Sequence, residues 1–228
     1  IHLALTFMQS NPVTTIMVGD QAIPAIVDTG GGGITLSAET IAAAGGRKLD
    51  RYSSGPDAFG REVRSPMYSV TSITIGGRVF RNVVVTQTES RPAGEGPPVP
   101  NSIGRQLLSQ YFVVIDYAKS SMTLWPAQTK TSSAGCGTKR VPMERTSDAG
   151  LVVVSLSTPS GPLRALLDTG ATYSILPETL VKERQLATTL QGQTPFYLVP
   201  NIYAGSHNLG PLEFVVFPAQ PPADFQAF

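Results

Sequence analysis

The sequence predicts an all-β protein built as one unit written twice. The first observation is a repeat. Ile26-Val27-Asp28-Thr29-Gly30 returns 140 residues later as Leu166-Leu167-Asp168-Thr169-Gly170. The match extends outward. Ile23-Pro24-Ala25 faces Leu163-Arg164-Ala165, Leu36 faces Leu176, and a helix-like segment follows each copy, Ser37-Ala38-Glu39-Thr40-Ile41 and Pro177-Glu178-Thr179-Leu180-Val181. The second observation is that the rest of the chain reads largely as short apolar or β-branched runs punctuated by Gly, Pro and Asp.

The repeated tripeptide carries weight because it occurs twice in one context. At average residue usage, Asp-Thr-Gly arises by accident in roughly one chain of this length in twenty to fifty. The bland alternative is a pair of similar strand-turn-helix corners whose aspartates only cap helices. The physical reading is more specific. Ala25-Ile26-Val27 is a buried strand without polar alternation. Gly30 lets the chain turn sharply at its end, so Asp28 is held on a rigid element. Two such corners related by an internal pseudo-twofold would bring two carboxylates together. Like charges at about 3 Å cannot both ionise, so the pair shares a proton. One member can then act as base on a water while the other donates to a carbonyl, and the titration belongs to the pair.

Two hydrophobic-hydrophobic-Asp-Thr-Gly motifs resemble those of the aspartic proteases. A second stretch, from Asn101-Ser102-Ile103-Gly104-Arg105 to Val113-Val114-Ile115-Asp116-Tyr117, is similar to the late segment of retropepsin-like lobes, where an apolar pair and a glycine open a helix that leads into a strand. The resemblance covers nearly the whole chain and looks closer to the bacterial single-chain, periplasmic retropepsin-like proteases than to pepsin. It implies a two-lobed pepsin/retropepsin-like fold with Asp28 and Asp168 as the catalytic pair. Thr29 and Thr169 would support the pair by cross-linking its loops. Gly30 and Gly170 would offer backbone carbonyls to a bound peptide. The resemblance also implies an exported, periplasmic location and a monomer in which the two lobes form a pseudo-dimer, with a swapped dimer as the alternative.

Composition is consistent with this and excludes other classes. Hydrophobic residues make up 41% and charged residues 14% of the 228, which is globular rather than disordered. A net charge of +1 argues against a dedicated nucleic-acid binder. A single cysteine rules out an intrachain disulfide, and no run reaches the roughly 18 apolar residues of a membrane span. The chain starts at Ile1, where a removed signal peptide would fit, but no such peptide can be read. His2 and His207 lack cysteine or carboxylate clusters at ligand spacing, so neither a metal site nor a cofactor is expected.

The first lobe is expected over residues 1–125. Ile1–Met8, Pro12–Val18 and Ile23–Val27 read as strands, the last two joined at Gly19-Asp20. Ser37 is the expected N-cap and Gly45-Gly46 the stop of a helix over 38–44. Gly31-Gly32-Gly33 could cradle phosphate before that helix, but no Lys-Ser/Thr follows and the P-loop pattern fails. The resembled family often has Ser or Thr after Asp-Thr-Gly; here Gly31 and Ala171 carry no side-chain donor. The pair is therefore expected to titrate higher than in pepsin.

Leu49–Ser53 and Val63–Val70 flank a Gly/Pro turn that matches a substrate-closing flap with Phe59 at its apolar tip, or else forms an ordinary exposed hairpin. Ile73–Ile75 and Val79–Val85 make another hairpin across Gly76-Gly77. Ser90–Pro100 reads as a surface loop rather than a polyproline ligand. Val113–Ile115 and Met122–Trp125 close the lobe. Residues 126–140, with Cys136, form a Ser/Thr/Gly/Lys-rich linker.

The second lobe, 141–228, repeats the plan with strands Val141–Glu144, Leu151–Leu156, Leu163–Leu167 and Leu212–Phe217. Pro177 is expected in the first turn of a helix reaching Arg184, and Gln191–Pro195 stands where a second flap would. The plan is shorter, however. Asp28 lies 76 residues before Gly104, while only 60 residues follow Asp168, so the closing segment of this lobe is expected to be missing. The function expected is an aspartic endopeptidase acting on extended protein or peptide segments. A catalytically silent peptide-binding module of the same fold is the rival, and an unrelated β-sandwich would leave the repeat to chance.

Overall fold

A computed structural model describes residues 1–56, 62–88, 100–129, 140–146, 150–218 and 227. The chain forms two units, Ile1–Ser54 with Arg64–Cys136, and Gly137–Phe228 with Gly55–Val63. Strands dominate both.

The first unit opens with β1 (His2–Ala4), β2 (Thr6–Met8), β3 (Asn11–Val18) and β4 (Gln21–Val27). The single strand expected over residues 1–8 is thus broken at Leu5. That side chain is buried and its N–H donates to the Ser120 carbonyl oxygen at 2.8 Å, so the chain crosses there from one sheet to another. The unit continues with β5 (Ile34–Leu36), α1 (Ala38–Ala43), β6 (Arg47–Pro56), β7 (Glu62–Ile75), β8 (Arg78–Gln87), β9 (Ser102–Ile103), α2 (Arg105–Leu108), β10 (Tyr111–Asp116) and β11 (Ser121–Pro126).

Among the described residues, one sheet has the order β2-β3-β4-β9-β5-β8-β7-β6, and a smaller one the order β1-β11-β10. β7 is a single strand of 14 residues that serves both expected hairpins. It also pairs with β3 through Met17–Thr74 and Val18–Ile73, which folds the larger sheet over its own apolar face. Val18, Val27, Leu36, Ile73, Ile75 and Ile103 meet there with no exposed surface. Each contributes on the order of 1.5–3 kcal/mol by leaving water. At the end of β10 the Asp116 carboxylate accepts the Lys119 N–H at 2.9 Å, which holds its carboxyl below the usual range.

The second unit contains β12 (Met143–Arg145), β13 (Val152–Thr158), β14 (Gly161–Leu166), β15 (Ser174–Pro177), α3 (Glu178–Glu183), β16 (Thr189–Gln191), β17 (Thr194–Ala204) and β18 (His207–Phe217). Its sheet runs β12-β13-β17-β18-β15, with β14 on β13 and β16 on β17. The 140-residue offset holds at every matched step. The β3–β4 hairpin recurs as β13–β14, β5 as β15, and α1 as α3, and the parallel pair β5–β8 recurs as the parallel pair β15–β18. A separate core forms around Leu163, Leu176, Val199, Ile202 and Phe214.

The two matched helices start differently and stop alike. Ser37 caps α1, its Oγ accepting the Thr40 N–H at 3.1 Å. Pro177, expected inside the first turn of α3, is instead the residue before it, with extended backbone and no side-chain cap. At the other end, Gly46 N–H donates to Ile41 and Gly45 N–H to Ala42, the paired bonds of a Schellman stop. Leu186 N–H to Val181 and Gln185 N–H to Lys182 repeat it. The residue that turns left-handed is Gly45 (φ +63°) in the first case and Gln185 (φ +51°) in the second. A side chain is strained there. Gln185→Gly should therefore stabilise the second unit by about 1 kcal/mol, and Gly45→Ala should destabilise the first by a similar amount. Chemical denaturation of each variant measures both.

Candidate active site

Each corner is assembled within its own unit. In the first, β4 delivers Asp28 from a run in which Ala25, Ile26 and Val27 are all buried. Parallel pairing with β9 fixes the strand's end. Ile26 pairs with Ser102 and Val27 with Ile103, and the Asp28 N–H donates to the Ile103 carbonyl oxygen at 3.0 Å.

The loop beyond Asp28 is strapped to the start of α2. The carbonyl oxygen of Gly31 accepts the Arg105 N–H (2.9 Å), and that of Gly32 accepts the Gln106 N–H (2.8 Å). The Arg105 guanidinium adds a third bond, Nη1 donating to the Gly30 carbonyl oxygen at 3.1 Å. Two glycines make this approach possible. A Cβ on Gly104 would stand 2.5 Å from the Gly33 oxygen and 2.8 Å from the Gly31 oxygen. A Cβ on Gly31 would collide with the Asp28 carboxylate itself.

Gly31 has no side-chain donor, as the sequence states, yet its backbone N–H supplies one, donating to Asp28 Oδ1 at 2.6 Å. The carboxylate is half-buried and aims at the loop that follows it. Outside the loop, Asn101 ties β4 to the cap of α1. Its Oδ1 accepts the Ser37 N–H at 2.8 Å and its Nδ2 donates to the Pro24 carbonyl oxygen at 3.2 Å.

The second corner is looser. Asp168 follows β14 and one further residue, Leu167, which the sequence reading places inside the strand. Leu167 lies beyond it and is 40% exposed, where its counterpart Val27 is fully buried. The Leu167 N–H donates to Val152, and the Leu166 N–H to Ala227, at 2.9 and 2.8 Å. Ala227 bridges Ala165 in parallel. It thus does for Leu166 what Asn101 does for Ile26, whose N–H donates to the Asn101 carbonyl oxygen at 2.8 Å. The Asp168 carboxylate accepts the N–H of Gly170 at 2.8 Å, two residues on rather than three. Thr29 and Thr169 both follow their aspartates, half-buried, and Gly170 closes the second turn. Phe59, the expected flap tip, lies outside the described residues.

Arg105 and Asn101 received no role from the sequence. Their positions beside Ile103-Gly104 were the available signal, but the contact with the loop bridges some 75 residues and only folding reveals it.

Residues 14–107, which hold the first corner and its strap, match the aspartyl protease family. No curated protein sequence matches the chain significantly. Among solved structures, an aspartic proteinase from Irpex lacteus matches over 100% of this chain and 89% of its own, with a TM-score of 0.62 at 11% identity. A retropepsin-like aspartic protease from Rickettsia conorii matches over 54% of this chain and 86% of its own, with a TM-score of 0.38 at 22% identity. The chain is therefore similar to aspartic proteases of the pepsin-like and retropepsin-like clan, by sequence in its first half and by its all-β fold throughout.

The glycine contacts predict a graded series. Gly104→Ala forces backbone atoms apart and should cost roughly 1–3 kcal/mol, read as a fall in the unfolding midpoint of the first unit. Gly31→Ala should leave the fold nearly intact but turn the Asp28 carboxylate away, since the atom it meets is a side-chain end. Gly32→Ala meets nothing within 4 Å and should be silent in both respects.

Proposed function

We propose that this chain, with its aspartic-protease fold, is an endopeptidase that hydrolyses peptide bonds of extended protein segments. The observation that carries the proposal is the duplicated corner. The same strand, Asp-Thr-Gly turn, strand and helix recur at a constant offset, and in each the aspartate carboxylate accepts a hydrogen bond from the backbone of its own turn. A corner built only to cap a helix would not need its aspartate nine residues before the cap position, as Asp28 stands before Ser37, which caps α1 by itself.

In this reading Asp28 and Asp168 form a pair that shares one proton. The ionised carboxylate takes a proton from a water as its oxygen attacks the scissile carbonyl carbon. The protonated partner gives its proton to the carbonyl oxygen. The tetrahedral species then collapses, the C–N bond breaks, and the departing nitrogen takes up the proton first removed from water. Neither a metal nor a covalent intermediate is required. Thr29 and Thr169 support the pair.

The Gly30 and Gly170 carbonyls meet the backbone of an extended peptide. A carbonyl oxygen has two acceptor sites, so Gly30 can hold the Arg105 guanidinium and still receive a peptide N–H. The flap reading of the β6–β7 hairpin adds closure over the substrate.

The rival, a silent peptide-binding module, draws on the exposure of Leu167 beside the second aspartate. Cleavage of a random peptide library separates the two. Asp28→Asn and Asp168→Asn should each lose roughly 100- to 10,000-fold in kcat/KM with the unfolding midpoint unchanged. Peptide binding without cleavage by the unaltered chain would favour the module. The rate should peak in mildly acidic to neutral solution, and a maximum below about pH 3 would contradict the expected tuning of the pair.

A further inference from the structure

We infer that Arg105 is a positioning residue that makes Asp28 the ionised member of the aspartate pair. This rests on the reading of Asp28 and Asp168 as that pair. It begins with a single peptide group, the one that joins Gly30 to Gly31. Its carbonyl oxygen accepts Arg105 Nη1 at 3.1 Å, and its N–H donates to Asp28 Oδ1 at 2.6 Å. Guanidinium, peptide and carboxylate form one relay.

A cation on the carbonyl side draws electron density toward the oxygen and makes the N–H on the other side a stronger donor, because hydrogen bonds in a chain polarise one another. A hydrogen bond donated to a carboxylate favours its charged form. The guanidinium keeps its charge across any working pH, so the bias is permanent.

The geometry of the relay is held by the same strap that shapes the loop. The Arg105 N–H is already bonded to Gly31, which leaves the side chain to arch back over one residue to Gly30. The neighbourhood contains few other charges. Of the elements that hold the loop, β4, β5, β9 and α2, Arg105 is the one ionisable residue, and the loop from Thr29 to Gly33 has none. Asp168, in the proposed reading, is the remaining group that faces Asp28.

The second corner is wired differently. Asp168 Oδ1 accepts the N–H of the peptide between Thr169 and Gly170. That is one residue earlier than the peptide used by Asp28. Sequence repetition gives the two aspartates the same neighbours, and folding gives them different donors. Asp28 is accordingly the base that takes the proton from water, and Asp168 keeps the shared proton and passes it to the carbonyl oxygen.

The test is a carbon-13 titration of the aspartate carboxyls in the full chain, with signals assigned by Asp28→Asn and Asp168→Asn, alongside the pH dependence of kcat/KM. Asp28 should ionise before Asp168. Arg105→Gln keeps a donor but removes the charge. It should raise the Asp28 midpoint by about one pH unit and move the acid limb of the rate profile upward by the same amount, whereas Arg105→Lys should shift both by less. An unmoved Asp28 midpoint in folded Arg105→Gln overturns the inference, as does Asp168 ionising first in the unaltered chain. Should Arg105→Gln fail to fold, the unaltered chain decides. The Gly31 amide proton and the Arg105 guanidinium nitrogens should titrate with the Asp28 midpoint, and a silent guanidinium refutes the relay. A chain that cleaves no peptide yet shows these shifts keeps the relay and loses the endopeptidase reading. A chain that cleaves with an unmoved limb does the reverse.

Discussion

Gly104 has no side chain where the carbonyl oxygens of Gly31 and Gly33 pass, and the first unit depends on that absence. The approach lets α2 present two backbone N–H groups and one guanidinium to three successive carbonyls of the loop. A loop of four consecutive glycines is otherwise expensive to order, since glycine loses more backbone freedom on folding than any other residue. Here its carbonyls are bonded and its two ends are anchored in buried strands, Val27 on one side and Ile34 on the other. The aspartate at its mouth is therefore held by a surface that cannot relax without breaking several bonds together.

The same duplication that makes the chain readable also exposes its asymmetry. Matched positions share strand, turn and helix but not burial: Val27 is enclosed and Leu167 is 40% exposed. The cause is the cover. In the first unit β9 lies along the end of β4 for two residues and continues into α2. In the second, among the described residues, Ala227 supplies a single bridge at Ala165 and one carbonyl to Leu166. A carboxylate in the better-covered corner sits among more fixed dipoles. One in the looser corner depends more on its own turn. Two copies of one motif can in this way present groups of unequal acidity without any difference in the motif itself.

Several sequence readings yielded to packing. The strand over residues 1–8 divides because Leu5 must enter the core while its flanks pair in different sheets. Two hairpins share the long strand β7 because nothing between Glu62 and Ile75 obliges the chain to turn. Pro177 sits before the helix rather than in it, since β15 runs to that residue and still pairs with Phe217. Each is a case of tertiary pairing setting a boundary that local propensity leaves open.

The sequence by itself determined the all-β class, the duplicated plan, the corners at Asp28 and Asp168, and the helices that follow them. Those features rest on local chemistry: apolar strand runs, glycine at a turn, serine at a cap, and a spacing that can be counted. Tertiary structure alone decided which groups touch the Asp28 carboxylate. Residue 31 looked like a lost donor because a sequence displays side chains, and the donor is a backbone N–H. Arg105 looked like one more helical residue because its partner, Gly30, lies 75 positions away along the chain. Hydrogen bonds between segments so distant leave no periodic trace, and they exist only once β4, β9 and α2 have been packed side by side.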